Sequence, residues 1–267
     1  MPEPYRLITL GPSHFCEKAR WALERARVPF VEERHLPLFH SLATFRAGGK
    51  RTVPVLVTDS GVLSDSTDIL ELADRQCGGR LFGMGAVRQE AKALEERFDA
   101  RLGPDTRRIV YFHTLDDAPL VQRFFGAGTP VAERLGARAF FPLIRGLMRK
   151  GMRITPESTK RSVARVDEVF SEMSARLESG GRYLVGDQLT AADITFASLA
   201  APVLLPPQYG VPLPAPEQLP DELRDLVLRY RETRAGKFVL KLYKEERNHP
   251  LPASGSGGAI EDQEQAS

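Results

Sequence analysis

The chain has 267 residues, 42% of them hydrophobic, which suits a folded protein with one large core or two small ones rather than a disordered chain. Its 37 basic and 35 acidic residues leave a formal net charge of +2, a balance that argues against nucleic acid or a membrane as the main partner. No apolar run approaches bilayer length, no basic-then-apolar signal opens the chain, and Cys16 and Cys77 form neither a disulfide framework nor a Cys-x-x-Cys pair; the expectation is a cytoplasmic, reducing location without a membrane span.

Tyr5 to Leu10 read as a short strand that runs through the Gly11-Pro12 turn into a helix opening at Ser13. A hydroxyl there caps the free N–H groups of the first turn. The same N–H groups, at the positive end of the helix dipole, also stabilise a thiolate. Two readings stay open for this segment: a structural cap followed by a small buried cysteine, Cys16, or a site of thiol chemistry. Phe15, Ala19, Ala22, Leu23 and Ala26 form the apolar stripe of this helix, and Pro29 closes it.

Phe30 to His35 predict a second strand, followed by a loop relaxed at Gly48-Gly49. Val53-Pro54-Val55-Leu56-Val57 reads as a third strand, and Asp59-Ser60-Gly61 turns it into its hairpin partner Val62-Leu63. Pro54 is an edge proline, or, with a cis peptide bond, it turns the Val53 backbone outward towards an extended peptide ligand. Ser64-Asp65-Ser66-Thr67-Asp68-Ile69 opens a third helix, with Ser66 as its expected cap, which ends at Gly78-Gly79. That helix start can also hold a small zwitterion, the carboxylate on Ser66 and backbone N–H groups and the ammonium on Asp65. Strand, helix, strand, hairpin, helix is the order of a thioredoxin-like α/β unit. Gly83-Met84-Gly85 lacks a third glycine and a preceding strand, so it is no dinucleotide fingerprint.

From about residue 86 the strand patterns end. Val87, Ala91, Leu94, Phe98 and Leu102 form a long helical stripe, and the span from Gly103 to Met152 is longer than two simple helices need. Within it Tyr111, Phe112, Phe124 and Phe125 read as core rather than pocket. Arg145, Arg149 and Arg153 read as one solvated face, with an acidic partner or anionic membrane surface as the alternative. Thr155-Pro156 starts a helix carrying Val163, Val166, Phe170, Met173 and Leu177 that ends at Gly180-Gly181. Thr190 and Asp193 have the spacing of a capping box, flanked by the Leu189–Ile194 hydrophobic staple. That pair is structural, starting a buried helix. Further helices are expected over Ala191 to Leu204 and Asp221 to Ala235. Between them, the six prolines from Pro206 to Pro220 predict an extended surface connection. The Gly/Ser-rich, acidic tail over 251–267 is expected to be disordered. The five histidines show no i, i+4 spacing, so no metal site is expected.

The segments Ser13-His14-Phe15-Cys16-Glu17-Lys18-Ala19-Arg20, Val53-Pro54-Val55-Leu56, Asp65-Ser66-Thr67-Asp68-Ile69 and Gly186-Asp187-Gln188-Leu189-Thr190-Ala191-Ala192-Asp193-Ile194 together resemble the glutathione S-transferase superfamily over almost the whole chain. The resemblance implies a thioredoxin-like glutathione-binding domain over 1–82 and an all-helical domain over 86–250. It implies that Ser13 donates a hydrogen bond to the glutathione sulfur, that Phe15 lies beside the thiol, that Val53 before Pro54 pairs with the cysteinyl backbone, and that Asp65 and Ser66 grip the γ-glutamyl end. His40, Lys50 and Arg51 are the candidates for the glycyl carboxylate. Glutathione is then a co-substrate and no other cofactor is needed; a small, mostly apolar electrophile is the second substrate, detoxification the setting and a homodimer the assembly. In the redox-active relatives, glutaredoxins and cysteine-type transferases, the nucleophilic cysteine stands where Ser13 is. Here Cys16 occupies the resolving position, which favours serine-type conjugation. The alternatives are a thiol reductase or peroxidase using Cys16, and a non-catalytic member that binds a ligand or partner.

Overall fold

The computed structural model describes residues 3–251, so the expected disordered tail lies, apart from Leu251, outside the described residues. Strand β1 (Tyr5–Leu10) pairs in parallel with β2 (Phe30–His35), from Tyr5 opposite Phe30 to Leu10 opposite His35. On its other side it pairs antiparallel with β3 (Val55–Thr58), Ile8 opposite Val55, and β3 forms a hairpin with β4 (Gly61–Leu63). The sheet order is thus β2-β1-β3-β4. Leu7, Ile8 and Thr9 are all buried, because β1 is central and covered on both faces. Helices α1 (His14–Arg25) and α3 (Ser66–Gln76) pack together against the helical half of the molecule.

An unexpected helix, α2 (Phe39–Arg46), fills the predicted loop. Its sequence gives no apolar stripe: Leu42 and Phe45 are exposed and only Thr44 is buried. The chain enters it through Leu38 in a left-handed conformation, φ 72°. The first helix ends before Pro29, where Arg27 adopts φ 56°.

The helical region begins with α4 (Gly85–Thr114), a rod of 30 residues, followed by α5 (Ala118–Gly126), α6 (Val131–Ala139) and α7 (Phe141–Gly151). These account for the long span that the sequence left undivided. Arg145 and Arg149 stand on a solvated face, as expected, and both pair there with Asp116, at 3.0 and 2.6 Å. Arg153 stands beyond the end of α7 with φ 50°, outside their row. Helix α8 (Pro156–Glu178) starts on the Thr155 capping box and ends before Gly180, as expected. The helix predicted over Asp221 to Ala235 ends as α10 (Asp221–Glu232), because Thr233 leaves helical geometry and caps a further, unpredicted helix, α11 (Arg234–Glu245), by accepting from the Gly236 N–H at 2.9 Å. Among the described residues no helix is long and apolar enough to cross a membrane.

The proline-rich segment is not a surface strap. Tyr209 and Val211 are buried, the Tyr209 hydroxyl donates to the Pro12 carbonyl at 3.1 Å, and the Gly210 N–H donates to Glu17. A Cβ on Gly210 would lie 2.5 Å from the Glu17 carboxylate, so only glycine permits this approach. Glu17 is wholly buried and also accepts from Arg20 at 3.0 Å and Arg247 at 2.7 Å. A second buried cluster joins the two halves: Lys18 reaches Glu95, and Asp99 at 2.7 Å, beside Thr67.

Helix α9 (Ala191–Ala200) has every residue buried. Its Asp193 accepts from the Thr190 N–H and hydroxyl and from the Leu184 N–H, each at 2.8 Å, and Leu189 and Ile194 are buried beside it. Asp193→Ala orphans two buried N–H groups and should lower stability by about 1–3 kcal/mol; Thr190→Ala should cost about 0.5–2 kcal/mol. Burial raises the Asp193 carboxyl from 3.8 to about 6 against those hydrogen bonds. The folded chain therefore holds this proton at a pH where the unfolded chain has released it, so stability falls as pH rises from about 4 to about 6. Urea unfolding across that range should show the slope in the wild type and a flatter one in Asp193→Ala; equal stability and equal slope would remove the assigned role.

Candidate active site

One cleft of about 450 Å³ opens where the starts of α1 and α3 converge beneath α4 and α7. Ser13, Phe15, His40, Val53, Pro54, Asp65 and Ser66 all line it. Residues 40 positions or more apart meet here because the central strand β1 and the antiparallel β3 bring the turn after β1, the segment before β3 and the start of α3 to one end of the sheet.

Ser13 caps α1, its Oγ accepting from the Cys16 N–H at 3.4 Å. It is partly exposed to the cleft; its hydroxyl also lies against the Cys16 thiol and can rotate to donate into the cleft instead. Cys16, one turn further, is wholly buried and lines no part of the cleft. Burial pushes its thiol up to about 11, despite the nearby Arg20, so it stays protonated at neutral pH. The packing of α1 against the sheet closes Cys16 off, as in the reading of it as a small buried cysteine.

His14 lies under α4, its Nε2 2.8 Å from the Gly103 carbonyl. Burial, reinforced by the charge of Arg107, lowers its pKa to about 3. The ring is neutral, and because a carbonyl only accepts, Nε2 carries the proton. Phe15 packs on Gly103, where a Cβ would stand 2.5 Å from the ring. The missing side chain at position 103 is what lets α4 cross so close to the start of α1.

At the start of α3 the sequence reading needs a correction. Asp65, not Ser66, is the N-cap: its Oδ1 accepts from the Thr67 N–H at 2.8 Å. Ser66 is the first helical residue, buried but facing the cleft, with the unpaired first-turn N–H groups around it. The one-residue shift follows from the aspartate carboxylate, which closes an Asx-type turn onto the N–H two residues on more strongly than a serine hydroxyl does. Val53 precedes the sheet register, which begins at Val55, and the Val53-Pro54 peptide bond is cis.

Of the three candidates for a terminal carboxylate, only His40 lines the cleft. Lys50 and Arg51 are exposed and lie outside its lining; the Lys50 N–H is tied to Ser64 Oγ at 3.1 Å. Helix α2, absent from the sequence reading, carries His40 inward and leaves those two on the loop that follows.

Sequence reasoning missed the roof. Asp99, Arg107 and Tyr111 of α4 and Met148 and Met152 from the end of α7 also line the cleft. Asp99 shares Lys18 with Glu95, and burial beside that second carboxylate holds its carboxyl above the usual range. Tyr111, read as core, lines both this cleft and a small adjoining cavity of about 40 Å³ that Phe124 and Phe125 also line. Phe125 is buried in a hydrophobic cluster against which Tyr111, Phe112 and Phe124 pack, as expected, and Tyr111, Phe124 and Phe125 present one side of that cluster to these openings. The signal was present as a four-residue step, Glu95, Asp99, Gly103, Arg107, Tyr111, along one side of α4.

Comparisons with known proteins fit this architecture. The family model described as glutathione S-transferase, N-terminal domain, matches residues 7–80, and that described as glutathione S-transferase, C-terminal domain, matches residues 156–230. No curated protein gives a significant sequence match. Among solved structures, the chain is similar to a glutathione transferase family member from Pseudomonas fluorescens with two glutathione bound: 16% identity, 93% of this chain and 92% of that one covered, TM-score 0.59. It is similar to a possible glutathione S-transferase from Rhodopseudomonas palustris, with 17% identity, 93% and 100% coverage and TM-score 0.56. It is similar as well to a Methylobacterium radiotolerans glutathione S-transferase in complex with glutathione sulfonate, with 17% identity, 97% and 100% coverage and TM-score 0.52. At these identities the structures speak for the fold, while the two family models together match more than half of the chain and meet its two structural halves in order. The chain belongs to the glutathione S-transferase superfamily.

Proposed function

We propose that this protein is a glutathione transferase of the serine type, joining the glutathione thiolate to a small electrophile. The observation that carries the reading is the convergence of Ser13 at the start of α1 and Asp65-Ser66 at the start of α3 on one cleft, with Val53 between them. Structural relatives bound to glutathione and to glutathione sulfonate support the choice of ligand.

In this reading the γ-glutamyl carboxylate takes the Ser66 hydroxyl and the first N–H groups of α3, and its ammonium takes the Asp65 carboxylate. The cysteinyl backbone pairs with the free edge at Val53. His40 is the cleft residue left for the glycyl end, as a neutral donor, since burial lowers its pKa. The Ser13 hydroxyl then donates to the sulfur at the positive end of α1, favouring thiolate over thiol at neutral pH. The electrophile enters beneath α4 and α7. No metal or prosthetic group takes part; glutathione is the co-substrate. Cytoplasmic location, a role in detoxification and assembly as a homodimer belong to the same reading, the last testable by light scattering.

The thiol-reductase reading has no observation in its favour, since Cys16 is buried, protonated and outside the cleft. Calorimetry should show glutathione binding to the wild type, and Ser66→Ala should weaken it by about 1–3 kcal/mol through a lost charge-assisted bond. No heat with the wild type would remove the functional reading, and binding without conjugation of any electrophile would leave a non-catalytic member.

A further inference from the structure

Most of the buried cationic side chains in this fold are neutralised. Lys18 meets Glu95 and Asp99, Arg20 meets Glu17 and Glu32, and Arg247 meets Glu17 and Glu24. Arg107 is different. It is partly buried, lines both the cleft and the small apolar cavity behind it, and has no ion pair or hydrogen bond among the described residues. The neighbouring carboxylates are committed elsewhere: Asp105 to Arg108 and Arg165, Asp99 to Lys18. Its positive charge is accordingly felt by the surrounding groups, acting on both His14 and Tyr111.

A guanidinium held without a counter-ion in a partly apolar wall is a site that lacks its anion. Its position specifies which anion. Arg107 stands one turn beyond Gly103, which touches His14 and Phe15, so it lies over the Ser13 end of the cleft and away from Asp65 and Ser66. Tyr111, one further turn along, presents a phenol that burial keeps protonated, with a pKa of about 12, and that can donate alongside the guanidinium. Val110, Phe124 and Phe125 supply an apolar wall beside these two donors.

We propose that Arg107 selects the second substrate: the electrophile carries a carboxylate or comparable anionic group on an apolar body, the anion bound by Arg107 with Tyr111 beside it and the body against the α4–α5 wall. This rests on the conjugation reading and names the substrate class of the same site. It requires the acceptor to present its reacting carbon towards Ser13 while its charge faces α4.

A matched pair of aryl chlorides tests it: neutral 1-chloro-2,4-dinitrobenzene and anionic 4-chloro-3,5-dinitrobenzoate. In both, the glutathione sulfur forms a bond to the ring carbon bearing chlorine, chloride leaves with the bonding pair, and the thiol proton passes to solvent. Rates are taken relative to the uncatalysed reaction of each. Arg107→Gln should lower kcat/KM for the benzoate roughly 10- to 100-fold, mainly through KM, the range expected for a lost charged hydrogen bond, and change the neutral substrate by less than about twofold. Arg107→Lys should recover part of the loss. Unreactive 3,5-dinitrobenzoate should inhibit neutral conjugation, its inhibition constant rising about tenfold or more in Arg107→Gln. The variant removes an unpaired charge and leaves no buried partner orphaned, so its melting temperature should be retained. An equal loss for both chlorides would place Arg107 on the thiolate and overturn the acceptor assignment alone, as would no loss for either. A wild type that binds no glutathione in calorimetry would instead bring down the conjugation reading and this inference with it.

Discussion

Ser13→Ala should cut conjugation roughly tenfold or more at neutral pH, while Cys16→Ala leaves it nearly intact. The Ser13 hydroxyl faces the cleft at the mouth of α1, and each unit by which it lowers the thiol pKa corresponds to about 1.4 kcal/mol. Without it the bound thiol should titrate higher, so the rate lost at neutral pH should return in part as pH is raised. Cys16 sits behind the same turn, fully buried, its thiol raised to about 11. Removing its sulfur leaves a small cavity and a stability cost, not a kinetic one. His14, neutral with a pKa of about 3, contributes no ionisation to this profile. Steady-state rates and thiolate absorbance against pH, on both variants, separate the possibilities. An inactive Cys16→Ala beside an active Ser13→Ala would replace serine-type chemistry with the reductase reading.

The largest loss of stability is expected from Glu17→Ala, about 3–5 kcal/mol, or a fall in Tm on the order of 10 °C for a chain of this size. Glu17 is completely buried and, besides Arg20 on its own helix, joins two distant parts of the chain: Arg247 after α11 and the Gly210 N–H of the proline-rich segment. Its removal leaves Arg20 with Glu32 and Arg247 with Glu24, one carboxylate for each of two buried guanidinium groups. It also frees the segment that seats Tyr209 against Pro12, at the turn that presents Ser13. Glu17→Gln keeps the shape and one acceptor and should cost less. Thermal melts and urea unfolding of the two variants check this; an alanine variant as stable as the wild type would show that the network adds nothing.

Much of the cleft was legible in the chain. Ser13, the Val53-Pro54 pair and the Asp65-Ser66 helix start stand at the ends of elements whose periodicity is plain, and local rules of capping and turn formation place such residues without tertiary information. The box of Thr190 and Asp193 was legible for the same reason: its partners lie three residues apart. Even here local rules missed by one residue at α3, where serine and aspartate compete for one cap and the backbone decides. Helix α2 was hidden because it buries almost nothing, and with it went the means to choose His40 over Lys50 and Arg51.

By itself the sequence determined the strand and helix order of the first half, the helical second half, and the residue types at the mouths of α1 and α3, since each depends on neighbours within a few positions. Only the tertiary structure decided what faces them. Arg107 and Tyr111 become cleft residues because α4 crosses the start of α1, an approach that the absent side chain of Gly103 permits, and Met148 of α7 lines the same cleft. Cys16 and Glu17 were equally plain as letters, yet one is a closed-off thiol and the other a buried hub. Burial and long-range charge pairing join residues hundreds of positions apart, and no periodicity along the chain records them.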